Sequence, residues 1–306
     1  MATWLDEVVS EERQLLPGHA ACAGCGPAIN VRHLLGALHA AAPERETVLV
    51  IPASCWTIIA GIWPVNAFHC AVHLTPFASA PAEASGIKAA LRLRGQDANV
   101  VIWAGDGATA DIGFAGLSAA AERNEDLIYV LNDNEAYMNT GVQKSGATPE
   151  GAWTTTTPAR APRRGAKKDL ARIMAAHGIP YTATVAAGSL PLVRDFRAKV
   201  VRAARIEGFR FLHALGGCPP GWRYPTSQSA EVVRLAVEAR HFPLWEADAD
   251  GLRITYRPRH PAPVSEFLST QGRFGHLGAA EVAAIQAHVD ERWQQLEREE
   301  RRDGDA

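Results

Sequence analysis

Residues 103–141 read WAGDGATADIGFAGLSAAAERNEDLIYVLNDNEAYMNTG. An apolar segment runs into Gly105-Asp106-Gly107, a helical stretch follows, and a second apolar segment ends at Asn132-Asp133-Asn134. This order predicts two neighbouring parallel strands, because a strand, a crossover helix and a second strand form the usual parallel unit. The carboxyl ends of parallel strands meet at the crevice where ligands bind, so we expect Asp106 and Asn134 to lie close together.

The rest of the chain repeats this alternation of short apolar runs and helical stretches. The runs are rich in Val, Ile and aromatic residues and carry few charges, which is typical of strands that are covered on both faces. The predicted fold class is therefore α/β, a mostly parallel sheet flanked by helices. The predicted strands are residues 47–52, 99–104, 127–132, 181–186 and 209–214. The predicted helices are residues 28–42, 80–93, 114–123, 170–177, 190–205 and 231–241.

The pattern changes after about residue 241. We therefore interpret residues 1–241 as the cofactor-binding domain and residues 242–306 as a C-terminal extension. The extension begins with a predicted hairpin that turns at Asp250-Gly251 and ends with a charged helix over residues 279–301. Because it carries no chemical motif, we expect it to contact a partner subunit.

The composition narrows the possible functions. With 47% hydrophobic and 21% charged residues, the chain has the balance of a globular protein. Its 31 basic and 33 acidic residues give a net charge of -2, which argues against nucleic acid or an anionic membrane as a partner. No apolar run reaches the roughly 20 residues that a membrane span needs, and the first residues lack the features of a signal peptide. A cytoplasmic protein is expected.

The Gly105-Asp106-Gly107 and Asn132-Asp133-Asn134 segments together predict a magnesium and phosphate site. The Asp106 carboxylate and the Asn134 amide offer the oxygen ligands that Mg²⁺ prefers, and Mg²⁺ usually completes its shell with water and substrate phosphates. Gly105, Gly107 and Gly113 would let the backbone approach a diphosphate, and a helix that begins at Phe114 would favour anions. A dinucleotide site is the competing interpretation, but the sequence lacks its glycine pattern and its later acidic residue.

The five cysteines divide into a candidate ligand set and one remaining residue. Cys22 and Cys25 form a C-x-x-C pair in a glycine-rich turn, which fits half a zinc site, a redox dithiol or iron–sulfur ligation. Cys55 and Cys218 follow predicted strands, so both are expected at the sheet edge that carries Asp106. Cys70 stands among apolar residues and is interpreted as a small core residue.

Three further features are weaker signals. His19 precedes the C-x-x-C pair and could approach a cofactor phosphate. His69 and His73 are four residues apart, a spacing that could ligate a metal from one face of a helix, although packing is the commoner role. Residues 140–168 form a long predicted loop whose basic end, residues 160–168, could bind the phosphates of coenzyme A.

The combination of PGHAACAGCG at residues 17–26, Cys55, GDG, DNEAYMNTGVQKSGATP at residues 133–149 and Cys218 resembles the β subunit of 2-oxoacid:ferredoxin oxidoreductases. The resemblance is strongest to the pyruvate type, and it covers about residues 15–240. It implies a thiamine-diphosphate-binding fold and a reaction that converts a 2-oxoacid and coenzyme A into acyl-CoA, CO₂ and two low-potential electrons.

The resemblance also implies which residues hold the cofactors. Cys22, Cys25, Cys55 and Cys218 match the ligands of a [4Fe–4S] cluster. Asp106, Asn134 and the backbone carbonyl of Ala136 match the Mg²⁺ ligands, and Asn139 matches an amide that faces the thiazolium ring and the 2-oxoacid.

The implied partners are an α subunit, which supplies the thiamine-activating Glu and part of the substrate pocket, and ferredoxin-like γ and δ subunits. Ferredoxin or an NAD-linked acceptor would take the electrons. Residues 53–57, Ala108 and residues 77–84 depart from the pyruvate-type pattern, so the substrate could instead be phenylglyoxylate or oxalate. Two competing interpretations of the whole chain are a thiamine enzyme without a cluster and a zinc-stabilised, non-catalytic scaffold subunit.

Overall fold

The computed structural model describes residues 14–62 and 64–304, and it shows an α/β fold with one sheet between layers of helices. The strands are β1 (Glu46–Pro52), β2 (Ala71–Thr75), β3 (Ala98–Gly105), β4 (Leu127–Asp133), β5 (Tyr181–Ala186), β6 (Phe209–Leu215), β7 (Trp245–Asp248) and β8 (Gly251–Ile254). The α-helices are α1 (Gly26–Ala41), α2 (Trp56–Ile59), α3 (Ala80–Leu93), α4 (Phe114–Glu122), α5 (Leu170–Ala175), α6 (Leu190–Arg205), α7 (Pro219–Trp222), α8 (Ser229–Glu238), α9 (Val264–Ser269) and α10 (Ala279–Gly304).

The sheet has the strand order β2-β1-β3-β4-β6-β5-β7-β8. The first six strands in this order are parallel, and β7 and β8 are antiparallel additions beyond β5. After β1 the chain moves to β2 on one side, and then crosses to β3 on the other side. The carboxyl ends of β1 and β3 therefore flank a switch point, where open α/β sheets bind their ligands.

The core lies on both faces of the central strands. All seven residues of β4, of β6 and the first seven of β3 are buried, as the continuous apolar runs predicted. One face packs against α1 and α6, and the other packs against α3 and α4. This double cover confirms the predicted fold class.

Strand β2 is the element that the sequence analysis missed. It pairs only with β1 and forms one edge of the sheet, and four of its five residues are exposed or half-buried. The helical interpretation of His69 and His73 is wrong, since His73 lies in β2 and bonds to Glu83 of α3. A short edge strand has no continuous apolar run, which is why its pattern was weak.

The C-terminal extension is built into the sheet. The predicted hairpin is present as β7 and β8, but its two-residue turn is Ala249-Asp250, one position earlier than predicted. Helix α10 packs Trp293 and Leu296 into the same apolar cluster as Trp245 of β7. Whether the extension also contacts a partner subunit stays a prediction.

The packing of α10 leads to a stability prediction. The W293A variant should lose about 3–5 kcal/mol of unfolding free energy, because the indole is 3% exposed and its removal leaves a cavity. Urea unfolding followed by circular dichroism measures the loss. L93A removes a side chain that is 90% exposed and should change the stability by less than about 0.5 kcal/mol. An unchanged stability of W293A would show that α10 is not part of the core.

Within the described residues, each helix is too short or too polar to cross a membrane.

Candidate active site

The sequence-predicted metal ligands come together at the carboxyl ends of β3 and β4. One terminal atom of the Asn134 amide lies 3.0 Å from Asp106 Oδ1 and 2.9 Å from the carbonyl oxygen of Ala136. With the amide oxygen in this position, three oxygen atoms converge; with the nitrogen there, the amide donates to both neighbours. Adjacent ligands of an octahedral Mg²⁺ with bonds of 2.0–2.1 Å lie about 2.9 Å apart. With the Asn134 amide oxygen in this position, its spacings to Asp106 and to the Ala136 carbonyl therefore fit those of adjacent Mg²⁺ ligands.

The electrostatics of Asp106 also fit a cation. Its carboxyl group is 2% exposed, and burial raises its pKa well above the ordinary value, with a further increase from the nearby charge of Asp133. A bound cation would favour the ionised carboxylate at neutral pH. The second oxygen of Asp106 accepts a hydrogen bond from the hydroxyl of Ser145, which is fully buried. Ser145 fixes the direction of the carboxylate, and the sequence analysis did not identify it.

A cavity of about 150 Å³ opens beside these oxygen atoms. Asn139, which was predicted to face the cofactor ring, is exposed and lines this cavity. The Oδ1 atom of Asn132 is buried among the lining residues and has no hydrogen-bond partner in the protein. It can therefore accept a hydrogen bond from a bound molecule. The other lining residues are Ala53, Ser54, Cys55, Trp56, Thr57, Phe77, Gly105, Asp106, Gly107, Ala108, Asn134, Ala136, Tyr137, Met138 and Thr140.

Gly105 and Gly107 of the GDG segment have different surroundings. A Cβ atom on Gly105 would meet only Ser54, at 3.7 Å, so the backbone there faces the cavity as expected. A Cβ atom on Gly107 would lie 2.1 Å from the Tyr137 ring. Gly107 therefore allows Tyr137 to pack closely, which the sequence analysis did not foresee.

A π-helical turn that the sequence analysis did not predict separates GDG from the predicted helix at Phe114. A π-helical turn, Ala108–Ile112, comes directly after Gly107, and α4 begins only after Gly113. The helical turn that starts at the cavity is therefore this π-helical turn, while the predicted helix begins at Phe114 as expected, and its role as an anion site stays a prediction. Such turns are frequent at functional sites.

The four candidate cysteine ligands lie at the same edge of the sheet. The C-x-x-C turn docks on the loop before Cys218 through a hydrogen bond from the Gly26 amide to the Gly217 carbonyl, at 2.9 Å. A Cβ atom on Gly26 would lie 2.5 Å from the Gly217 nitrogen, so this approach needs glycine. Cys25, Cys55 and Cys218 each stand directly before a helix.

The thiols influence one another without forming a site for a single ion. Burial, together with a smaller contribution from neighbouring thiols of the set, raises the pKa of Cys25 and Cys55 to about 11 and that of Cys218 to about 12. Among the described residues, no three His, Cys, Asp or Glu side chains gather as one metal ion requires. A [4Fe–4S] cluster offers a separate iron atom to each thiolate, so it suits thiolates that are further apart.

Comparisons with known proteins agree with this geometry. Residues 56–214, just over half of the chain, match the family "Thiamine pyrophosphate enzyme, C-terminal TPP binding domain". The chain is 44% identical over 292 residues to pyruvate synthase subunit PorB of Methanocaldococcus jannaschii, covering 92% of this chain and 95% of that protein. It is 42% identical over 298 residues to ketoisovalerate oxidoreductase subunit VorB of Pyrococcus horikoshii, covering 94% and 93%. The chain belongs to the β subunits of the 2-oxoacid:ferredoxin oxidoreductases.

A solved structure supports the fold of this β subunit. It is the 2-oxoglutarate:ferredoxin oxidoreductase from Magnetococcus marinus, with a TM-score of 0.58 and 20% sequence identity, covering 74% of this chain and 80% of that one. The family confirms the prediction of a thiamine-dependent oxidoreductase subunit that works in a complex, with Mg²⁺ and a [4Fe–4S] cluster among its cofactors.

Two sequence-predicted features of the β subunit lie outside the cavity. The imidazole of His19 lies 3.1 Å from the Arg32 guanidinium, and it is not among the cavity-lining residues, so its cofactor role stays a prediction. In the basic stretch, Arg163 donates to the carbonyls of Ser145 and Ala166. Lys167 points inward to buried carboxylates, which leaves fewer free cations for coenzyme A than the sequence suggested.

The contact between Ser145 and Asp106 leads to a second prediction. The S145A variant should bind Mn²⁺, used as a probe for Mg²⁺, about 10- to 100-fold more weakly, because it loses the group that orients a metal ligand. Titration followed by electron paramagnetic resonance (EPR) measures the affinity. S118A removes a hydroxyl that bonds to His177, away from the cavity, and should bind normally. Equal affinities of S145A and S118A would contradict the orienting role.

Proposed function

We propose that this β subunit holds thiamine diphosphate and a [4Fe–4S] cluster for the oxidative decarboxylation of an aliphatic 2-oxoacid, of the pyruvate type, to acyl-CoA and CO₂. The observation that carries the proposal is the convergence of Asp106, Asn134 and the Ala136 carbonyl at the sheet edge that also holds the four thiols. Thiamine diphosphate supplies the electron sink for decarboxylation when it is bound.

The protein groups bind and orient the reactants. Asp106, Asn134 and the Ala136 carbonyl would hold Mg²⁺, and Mg²⁺ would bind the diphosphate. Gly105 and Gly107 line the same cavity. Asn139 lies at the cavity and would orient the thiazolium ring and the 2-oxoacid through its amide. Phe77, Met138 and Tyr137 give the cavity an apolar wall, which supports a substrate with an aliphatic side chain.

The proposed cluster ligands are Cys22, Cys25, Cys55 and Cys218. Cys55 also lines the cavity, so the cluster would lie next to the bound cofactor. This arrangement gives the two electrons of the oxidation a route, one at a time, towards ferredoxin-like γ and δ subunits and a ferredoxin or NAD-linked acceptor.

We expect the α subunit to supply the Glu that activates the thiamine ring. Asp106 is the one carboxylate among the described cavity-lining residues, and it is assigned to the metal, so a Glu that activates the thiamine ring must come from elsewhere. Four large apolar side chains between β1 and α3 are exposed, which favours a protein contact there. They are Ile58, Ile62, Val65 and Leu74.

An assay of the anaerobically purified complex tests this function. Pyruvate, 2-oxoisovalerate, phenylglyoxylate and oxalate are compared as substrates, with a viologen dye as acceptor, with and without coenzyme A. The proposal expects the highest kcat/KM with an aliphatic 2-oxoacid and acyl-CoA as the product. Exclusive turnover of phenylglyoxylate or oxalate would contradict the substrate class.

A further inference from the structure

The metal-binding segment, Asp133–Ala136, holds an unfavourable backbone conformation. Glu135 has a φ of 68°, in the left-handed region that residues with a side chain seldom adopt. Two hydrogen bonds hold it there: its amide donates to Asp133 Oδ1 at 2.9 Å, and its carbonyl accepts from the Thr148 hydroxyl at 2.7 Å. The residues on either side of Glu135, Asn134 and Ala136, are the proposed metal ligands.

Two buried cationic side chains form ion pairs with the carboxylate of Glu135. This carboxylate is 1% exposed and accepts from Lys167 Nζ at 2.7 Å and from Arg273 Nη2 at 2.6 Å. Lys167 also donates to Asp133 Oδ2 at 3.3 Å, and His213 Nε2 lies 2.7 Å from the same oxygen. The negative charges of Asp133 and Glu135 are therefore balanced by hydrogen-bonded basic side chains, and neither acid lines the cavity.

Arg273 connects this network to the cysteine ligands. Its guanidinium group stacks on the Trp222 ring at 3.9 Å, and the Trp222 indole donates to the Asn134 carbonyl at 2.7 Å. Trp222 is the last residue of α7, the helix that begins after Cys218. One buried network thus holds both the metal segment and the loop of a proposed cluster ligand.

We propose that Lys167 and Arg273 are positioning residues. They hold the backbone of Glu135 so that the Asn134 side chain and the Ala136 carbonyl are both directed towards the proposed metal position. Neither cation is among the described residues that line the cavity. The inference rests on the proposed function, and it assigns to the basic stretch and the C-terminal extension a role that the sequence analysis did not give them.

The K167M variant tests the proposal, with K88M as its matched control. The Lys88 and Lys167 side chains are both 11% exposed, and each pairs with an aspartate, half-buried Asp126 for Lys88 and buried Asp133 for Lys167. Lys88 binds Asp126 and the Ala98 carbonyl at the amino ends of the strands, the opposite edge of the sheet. The readout is the affinity of the purified complex for Mn²⁺ in the presence of thiamine diphosphate, measured by EPR.

The proposal expects K167M to bind Mn²⁺ at least about 10-fold more weakly, K88M to bind within about two-fold of the unmodified complex, and K167R to recover most of the affinity. Normal binding by K167M, or an equal loss in K88M, would overturn it. If K167M does not assemble into the complex, the R273K variant is used instead. R273K keeps the positive charge at residue 273 but loses the stacking of the guanidinium on Trp222. Normal Mn²⁺ binding by R273K would also overturn the proposal. An unmodified complex that binds neither Mn²⁺ nor thiamine diphosphate would refute the proposed function itself.

Discussion

The D106N variant is expected to bind Mg²⁺ and thiamine diphosphate at least about 100-fold more weakly than the unmodified complex, and to lose 2-oxoacid oxidation with them. Asp106 is the one charged group among the three proposed metal ligands, which lie together beyond the ends of β3 and β4. An amide keeps the shape of the side chain but removes the negative charge that attracts the cation. Isothermal titration with thiamine diphosphate and Mg²⁺ measures the effect.

A half-buried aspartate at the amino ends of the strands provides the control. Asp126 pairs with Lys88 and Arg210, and these two cations hold the pKa of its carboxyl group at about 2 in spite of its burial. D126N should therefore lower the stability of the fold and leave cofactor affinity unchanged. If D106N bound the cofactor as tightly as D126N does, Asp106 would not be a metal ligand.

The C218S variant is expected to lose the iron–sulfur cluster and to reduce viologen roughly 100-fold more slowly or worse, because a hydroxyl is a poor ligand for iron. It should keep its affinity for thiamine diphosphate, since Asp106, Asn134 and Ala136 are unchanged. Iron and sulfide analysis of anaerobically purified protein measures the cluster, and isothermal titration with thiamine diphosphate measures cofactor binding.

Cys70 is the control for this variant. It is the one cysteine outside the proposed ligand set, and it packs against the apolar core beside β2. C70S should retain its full iron and sulfide content. Loss of the cluster in C70S with retention in C218S would reverse the assignment of the fourth ligand.

The sequence was sufficient to predict the central strands of the sheet but not its edge strand β2. The prediction for β5 has the observed bounds, those for β4 and β6 differ by one residue at one end, and that for β3 differs by one residue at each end. Continuous apolar runs identify strands that are buried on both faces. Strand β2 escaped detection, since an exposed edge strand needs neither an apolar run nor a strict alternation. The shift of the β7–β8 turn reflects the left-handed Gly251, which begins β8 and does not form the turn.

The sequence also identified the ligand types, but it could not identify the residues that hold them in place. Ser145 is 39 positions from Asp106, and Arg273 is 138 positions from Glu135. No local pattern links residues at such separations, since their contact depends on how the loop after β4 and the C-terminal extension fold back. The basic stretch was interpreted as a phosphate site because its charge is visible in the sequence, while the buried carboxylates that bind Lys167 are not.

One measurement tests most directly whether the thiamine site and the thiols form a single electron-transfer unit. The anaerobic complex is mixed with its 2-oxoacid in the absence of any external acceptor, and the cluster is followed by absorbance and by freeze-quenched EPR. We predict that the cluster becomes reduced as CO₂ is released, in the unmodified complex and not in C218S. Release of CO₂ at an undiminished rate with no change in the redox state of a cluster would contradict the account.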